Sequence, residues 1–379
     1  MNSRNRGWIL LLMGMIGSCW PGAKVVALET TVVISPVAVV APDGSICGQM
    51  AVVIQSDGTI AAVIPADQAD PALTTVRAAP GSVLTPGLHD LFGQLGCGQN
   101  TLIAGTVLFD FELDAAAAFD PTLAELDQAA THGVLYSTIA AAPAGILNGS
   151  SATFLCLSGA EAYPMAAGRP VYALAESVLQ SSREPTSRAA MISLWKEWIG
   201  DGVAKNKDPG ILFCPDSIDF RQTLSLSWKS LPVLVHQGDA RSPVERLAGR
   251  NALMVVGPFL EDGNPAAVET AIRAARTGTE LAFRGGLPAT PAHHLRGSAA
   301  IAVAAGLDGD AARRALFINP ARVVGGDSIG IIEPGARADL VLFSTDPLDP
   351  AARVLHVWRG GQRLLKRTRG SIRELGGVR

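Results

Sequence analysis

The residues able to do chemistry in this 379-residue chain are sparse, with six histidines and five cysteines. His293 and His294 are adjacent, so their side chains diverge on a strand and point about 100° apart on a helix. They lack the i, i+4 geometry with which a helix presents a metal-binding pair, and they read as loop surface. His236 closes the apolar run Leu231-Pro232-Val233-Leu234-Val235. One imidazole holds a catalytic zinc or similar ion only with two or more further protein ligands, and spacing identifies none, so His236 reads as a histidine kept in a pocket. Neither Gly-x-Ser-x-Gly nor a P-loop pattern occurs, which removes the serine-hydrolase and nucleotide readings.

The elements that must position these residues follow an N-terminal segment of a different kind. Arg4 and Arg6 precede an apolar run from Gly7 to Ile16. That run fits the core of a secretory signal and is too short for a membrane span of ~20 residues. Residues 1–27 are therefore expected to be a signal peptide, placing the mature chain in the bacterial cell envelope. Ile16-Gly17-Ser18-Cys19 resembles a lipobox, with Cys19 as the lipidated residue, and plain cleavage near Val25-Val26-Ala27 is the competing reading. Removing residues 1–18, with two arginines and no carboxylate, moves the formal charge from −3 to −5, and nothing attracts nucleic acid. Charged residues make up 17% of the chain and apolar residues 48%. The low charge content, against ~25% in ordinary domains, points to a subunit interface. Cys156 and Cys214 lie in strand-like runs and read as buried free thiols, not as part of a disulfide framework.

Residues 28–85 and 328–379 are rich in β-branched residues and turn signals such as Ala41-Pro42-Asp43-Gly44 and Glu333-Pro334-Gly335. Both ends read as β and are expected to form one composite β-sandwich domain. Between them, strand-like runs at 133–140, 151–157, 170–175, 231–236, 252–256 and 280–283 alternate with helical stretches at 121–130, 188–199, 265–276 and 296–305. Such alternation implies an α/β fold with a parallel sheet and helices outside it. Asn148-Gly149-Ser150 reads as a turn.

The run Val83-Leu84-Thr85-Pro86-Gly87-Leu88-His89-Asp90-Leu91-Phe92-Gly93-Gln94 resembles the first metal-binding strand of the amidohydrolase superfamily. Further segments carry the resemblance: Ala129–Pro143 is similar to an Ala-Gly-Val-Thr-Thr strand, and Leu231–His236 to a ligand strand of the imidazolonepropionase-like branch. Residues 319–326, 329–342 and 346–350 resemble the family's C-terminal stretch. The resemblance implies a (β/α)8-type TIM barrel over residues 86–327 beside the sandwich, and hydrolysis of C–N bonds by a metal-activated water. The text passes directly from Arg250-Asn251 to Leu253-Met254-Val255-Val256, so one βα unit is expected to be missing, leaving a gap or irregular pairing there.

The same comparison implies a degenerate site. The family's His-x-His positions are Phe92 and Gln94, and its catalytic aspartate falls at Gly286 in Ala282-Phe283-Arg284-Gly285-Gly286. A phenyl ring has no lone pair to donate, a neutral amide is a poor substitute for imidazole, and glycine accepts no proton. His236 is the one surviving ligand-like residue. Glu176 stands where a bridging carboxylate could sit, with a solvated loop residue as the plainer reading, and no lysine is a candidate bridge. Asp90 reads as a backbone hydrogen-bonding group near the rim, and His89 beside it takes a place apolar in relatives. The favoured expectation is a non-catalytic homologue, without a cofactor, its ancestral zinc-like metal lost. It acts as scaffold or partner subunit in a homo- or hetero-oligomer, with an active amidohydrolase as one partner, and meets the membrane only through a lipid on Cys19. The alternative is a hydrolase with a rebuilt or mononuclear site using His236, Glu176, Asp90 or Asp239.

Overall fold

The structure is a computed structural model that describes residues 30–73, 75–98, 102, 107–157, 159, 164–165, 168–201, 209–325, 328–368 and 371–374. Cys19 and the rest of the expected signal peptide lie outside the described residues. No helix among the described residues is long and apolar enough to cross a membrane. Contacts divide the chain into two compact units, one within Met1–Gly87 and Asp327–Arg379 and the other Leu88–Gly326.

In the first unit the strands are β1 (Thr30–Val40), β2 (Ile46–Gln55), β3 (Ile60–Pro65), β4 (Thr75–Val76) and β5 (Val83–Pro86). The second unit supplies β6 (Leu88–Gly93), β7 (Phe109–Asp114), β8 (Val134–Ile139), β9 (Leu147–Ser150), β10 (Ala152–Leu155), β11 (Pro170–Ala173), β12 (Ile211–Phe213), β13 (Val233–Val235), β14 (Leu253–Val256) and β15 (Glu280–Phe283). The chain then returns to the first unit with β16 (Leu340–Phe343), β17 (Val354–Arg359), β18 (Gln362–Thr368) and β19 (Ser371–Glu374).

Period-two alternation explains the first unit. Ile34, Val52, Ile54, Leu84, Leu342 and Trp358 pack on one side of the sheet, while Val33, Ala51, Val53 and Ile64 pack on the other, because successive side chains point to opposite faces. Both faces are apolar and both are covered. Among the described residues the strands form one nine-stranded sheet, β19-β18-β17-β16-β5-β1-β2-β3 with β4 on β1, which does not confirm the expected sandwich. Strands from both chain ends meet where β16 pairs with β5, Leu342 opposite Leu84. The β2–β3 end also reaches the 336–338 segment, through Ile60 N to Ala336 O (2.8 Å) and Ala338 N to Gly58 O (2.9 Å).

The second unit is the α/β part. Its helices include α1 (Ala124–Thr131), α2 (Arg188–Asp201), α3 (Ser217–Ser225), α4 (Phe259–Asp262), α5 (Pro265–Arg276) and α6 (His293–Ala304). In α5, Pro265 takes the first helical position, where its missing N–H costs nothing, Asn264 Oδ1 caps Ala266 N, and Val268, Ala271, Ile272 and Ala274 form the buried stripe. Strands β11 to β15 pair in parallel sequence, and β6 pairs in parallel with β8. These strands fall into two ladders among the described residues, a seven-stranded sheet β15-β14-β13-β12-β11-β9-β7 and a three-stranded sheet β10-β8-β6. Among the described residues the hydrogen bonds do not close a barrel, and the arrangement is compatible with a TIM barrel.

Three further expectations change. At the proposed deletion β13 and β14 pair directly, Leu234 with Met254 and Val235 with Val255, so no gap lies there. Asn148-Gly149-Ser150 belongs to strand β9 and not to a turn. Asn148 is buried because its Oδ1 accepts the amides of Ala144 and Gly145, a local bond that composition alone does not reveal. His293-His294 opens α6 instead of lying in a loop. Cys97, Cys156 and Cys214 are buried thiols outside any disulfide, and Cys47 is disulfide-bonded.

Candidate functional site

The end of β6 and the turn after β15 are joined by one carboxylate. Asp90 is fully buried, and its Oδ1 accepts the amides of Gly285 (2.5 Å) and Gly286 (3.2 Å) while Oδ2 accepts that of Leu287 (3.0 Å). Burial pushes its pKa up, and the Gly285 amide, the Arg284 guanidinium and the Leu287 and Gly286 amides act the other way. The close approach needs glycine at 93, where a Cβ would stand 2.6 Å from both Asp90 Oδ2 and Leu287 O. Gly286 itself sits at φ +76°, a left-handed conformation that an aspartate would adopt only under strain. Asp90 is thus spent on backbone, and the turn that faces it has no acid.

Phe92 is buried at φ +58°. Its ring meets Phe213, at the end of β12, edge-on with centroids 6.1 Å apart. Its carbonyl accepts Arg284 Nη2 at 3.0 Å, and the Arg284 guanidinium carbon lies 5.9 Å from the Phe213 ring centroid, a cation–π distance. Two phenyl rings and a fixed positive charge therefore meet where β6, β12 and β15 end. Gln94 turns away from them: its Nε2 donates to Leu102 O at 3.1 Å, and its backbone amide donates to Leu287 O at 2.8 Å.

His236 does not join this group. Its Nδ1 lies 2.6 Å from Cys214 O and its ring packs against Phe220 of α3, 4.8 Å between centroids. A carbonyl partner fixes the proton on Nδ1, leaving the lone pair on Nε2, which is buried and has no hydrogen-bond partner. Burial holds the imidazole pKa down. Glu176 is 79% exposed at its side chain and pairs with Arg188 at 3.3 Å. Asp239 is bound by Arg241 Nη2 at 2.8 Å and Nε at 3.0 Å, and this partner holds its carboxyl down at about 2. Neither carboxylate approaches His236 as a ligand. His89 faces a different neighbourhood, with Nε2 2.7 Å from Thr138 Oγ1, which in turn lies 2.8 Å from Thr153 Oγ1. Among the described residues no group of three or more His, Cys, Asp or Glu side chains is placed to hold a metal ion.

The solved structures supply the context for this geometry. An amidohydrolase from Thermotoga maritima superimposes with a TM-score of 0.73 at 20% identity, covering 89% of this chain and 100% of its own. The chain has the amidohydrolase fold. An adenosine deaminase from Xanthomonas campestris with bound zinc follows at TM-score 0.51 and 18% identity, covering 89% and 94% of the two chains. Molinate hydrolase matches at 0.52 and 16%, with the same coverage. No protein-family model matches the sequence, and no curated protein matches it.

Among the described residues the set at this site does not suit a divalent metal ion: the Phe92 ring has no lone pair, the Gln94 amide is engaged by Leu102 O, no group of three His, Cys, Asp or Glu side chains gathers, and Arg284 brings a cation into the same space. Three residues were not singled out from sequence. Arg284 had a visible signal, a basic residue between a strand and Gly285-Gly286. Phe213 had none. Asp219, fully buried on α3, accepts Arg188 Nε at 3.1 Å and leaves Oδ2 without a partner.

Proposed function

We propose that this chain is a non-catalytic homologue on the amidohydrolase fold, exported to the cell envelope, where it serves as a structural partner of a second subunit. The observation that carries the reading is the replacement of ligand chemistry by Phe92, Phe213 and Arg284 next to a carboxylate, Asp90, that is committed to three backbone amides. Hydrolysis by a metal-activated water needs an ion, an open coordination position and a base, and these residues supply none of the three.

A partner is supported by β7. It is the terminal strand of its sheet, and Phe111 (74%) and Val107 (51%) are exposed on or beside it, a placement that soluble edges normally avoid. Export is tested by mass spectrometry of the native N-terminus: a lipid on Cys19 or a start near Leu28 supports it, and an intact Met1 rejects it. The catalytic question is tested by metal analysis of the purified chain, which is expected to hold far less than one equivalent of zinc, iron or manganese. His236 Nε2, buried with a lone pair and no partner, favours the second reading of a rebuilt mononuclear site. Stoichiometric metal that disappears in His236→Ala would establish that alternative.

A further inference from the structure

One guanidinium stands among three carboxylates where α2 and α3 begin. Arg188, the first residue of α2, donates from Nη2 to Asp216 Oδ2 (2.5 Å) and Glu176 Oε2 (3.3 Å), and from Nε to Asp219 Oδ1 (3.1 Å). Asp216 caps α3, its Oδ1 accepting the amide of Asp219 at 2.8 Å. The three acids differ in their contact with water: the side chains of Glu176 and Asp216 are 79% and 41% exposed, and that of Asp219 is 0% exposed. Asp219 Oδ2 is buried with no hydrogen-bond partner. A dry carboxylate anion needs donors on both oxygens, and this one has a donor on one, beside the like charge of Asp216. The neutral acid fits the same place better, because protonation removes both the desolvation cost and the repulsion.

The other ionisable groups packed around α3 do not compete for that proton. Burial pushes the Cys214 thiol up and holds the His236 imidazole down, and Arg246 binds the Leu224 carbonyl at the far end of the helix. Burial, opposed by Arg188 and reinforced by Asp216, brings Asp219 up to about 6. We propose that Arg188, Asp216 and Asp219 form a proton-operated latch between α2 and α3, closed when Asp219 takes up a proton from solvent and loosened when it gives that proton back. An aromatic contact spans the same junction. The Trp195 ring of α2 lies 5.7 Å, centroid to centroid, from that of Trp228, whose Nε1 donates to Thr223 O of α3 at 2.8 Å. Loosening the two helices therefore changes the surroundings of both indoles. Asp216 lies on the segment that leaves β12 at Phe213, so the latch also bears on the strand end that carries this ring.

The test follows tryptophan emission of the full mature chain from about pH 5 to about pH 7.5, with far-UV circular dichroism in parallel. An emission change with its midpoint near the Asp219 value of about 6 is expected while the far-UV signal stays constant. Asp219→Asn keeps the oxygen that accepts Arg188 Nε but does not titrate, so the change is expected to vanish. Asp216→Asn keeps the cap on α3 and removes the like charge, and its midpoint is expected to fall by about half a pH unit or more. This second variant tests the latch even where Asp219→Asn fails to fold. Flat emission in the parent chain, a transition that persists in Asp219→Asn, an unmoved midpoint in Asp216→Asn, or far-UV loss in step with the emission would each overturn the proposal.

Discussion

The carboxylate of Asp90 receives the amide of Gly285 at 2.5 Å across 195 positions of sequence. This contact ties the strand that opens the α/β unit to the turn after its last described strand, where no backbone ladder joins them. The side chain and the backbone bond from Gln94 N to Leu287 O (2.8 Å) hold the two together.

Removing the carboxylate leaves the buried amides of Gly285 and Leu287, and the half-buried amide of Gly286, without this acceptor. Asp90→Ala is expected to lower stability by about 3 kcal/mol or more, because each orphaned donor carries a desolvation cost. Urea unfolding of the variant against the parent chain measures this, and a loss below about 1 kcal/mol would show that the turn finds other partners.

Restoring the two histidines should not restore the metal. In Phe92→His with Gln94→His, the imidazoles return, but the Arg284 guanidinium remains beside Phe213 and repels a divalent ion. Elemental analysis is expected to find well under one zinc per chain. One full equivalent in the double variant would remove Arg284 as the excluding group.

Two buried groups act on acid stability in opposite directions. Burial raises Asp219 from 3.8 to about 6, with Arg188 pulling it down and Asp216 pushing it up. The folded state thus binds a proton that the unfolded state has lost, and the stability from Asp219 falls as pH rises from about 4 to about 6. Burial lowers His89 from 6.5 to about 3, so its contribution is present above 6.5 and is lost as pH falls towards 3. Melting temperatures across pH 3 to 7 should therefore gain a steeper acid loss in Asp219→Asn and a shallower one in His89→Gln. Parallel profiles in parent and variants would contradict both assignments.

Association through β7 is tested at Phe111. With most of its ring exposed, Phe111→Ser is expected to leave the melting temperature within a few degrees, since surface changes are nearly neutral. It should also shift the chain from dimer or larger to monomer in sedimentation at micromolar concentration. A parent chain that is already monomeric alone and with envelope extract would exclude β7 as an interface.

Much of the α/β unit was legible because its signals are local. Pro265–Arg276 and Glu280–Phe283 occur over the residues that their periodicity and turn signals marked. That Phe92 and Gly286 carry no ligand or proton-accepting side chain was also readable from residue type, since no fold gives a phenyl ring or a hydrogen atom a lone pair. Strand β7 was not legible: Asp110, Glu112 and Asp114 alternate with apolar residues, but acidic residues are poor strand formers and the segment is held by pairing with β9.

What only the tertiary structure decided depends on contacts between distant positions. Sequence determined that His236 had no identifiable companions; folding decided that its ring turns to Cys214 and Phe220. Sequence determined that a carboxylate stood at position 90; folding decided that its partners are the amides of 285–287. The single nine-stranded sheet, the two separate ladders of the α/β unit and the meeting of Arg284 with Phe92 and Phe213 belong to the same class. Periodicity reports which face of an element is apolar, whereas the neighbour across that face is set by how all the elements pack together.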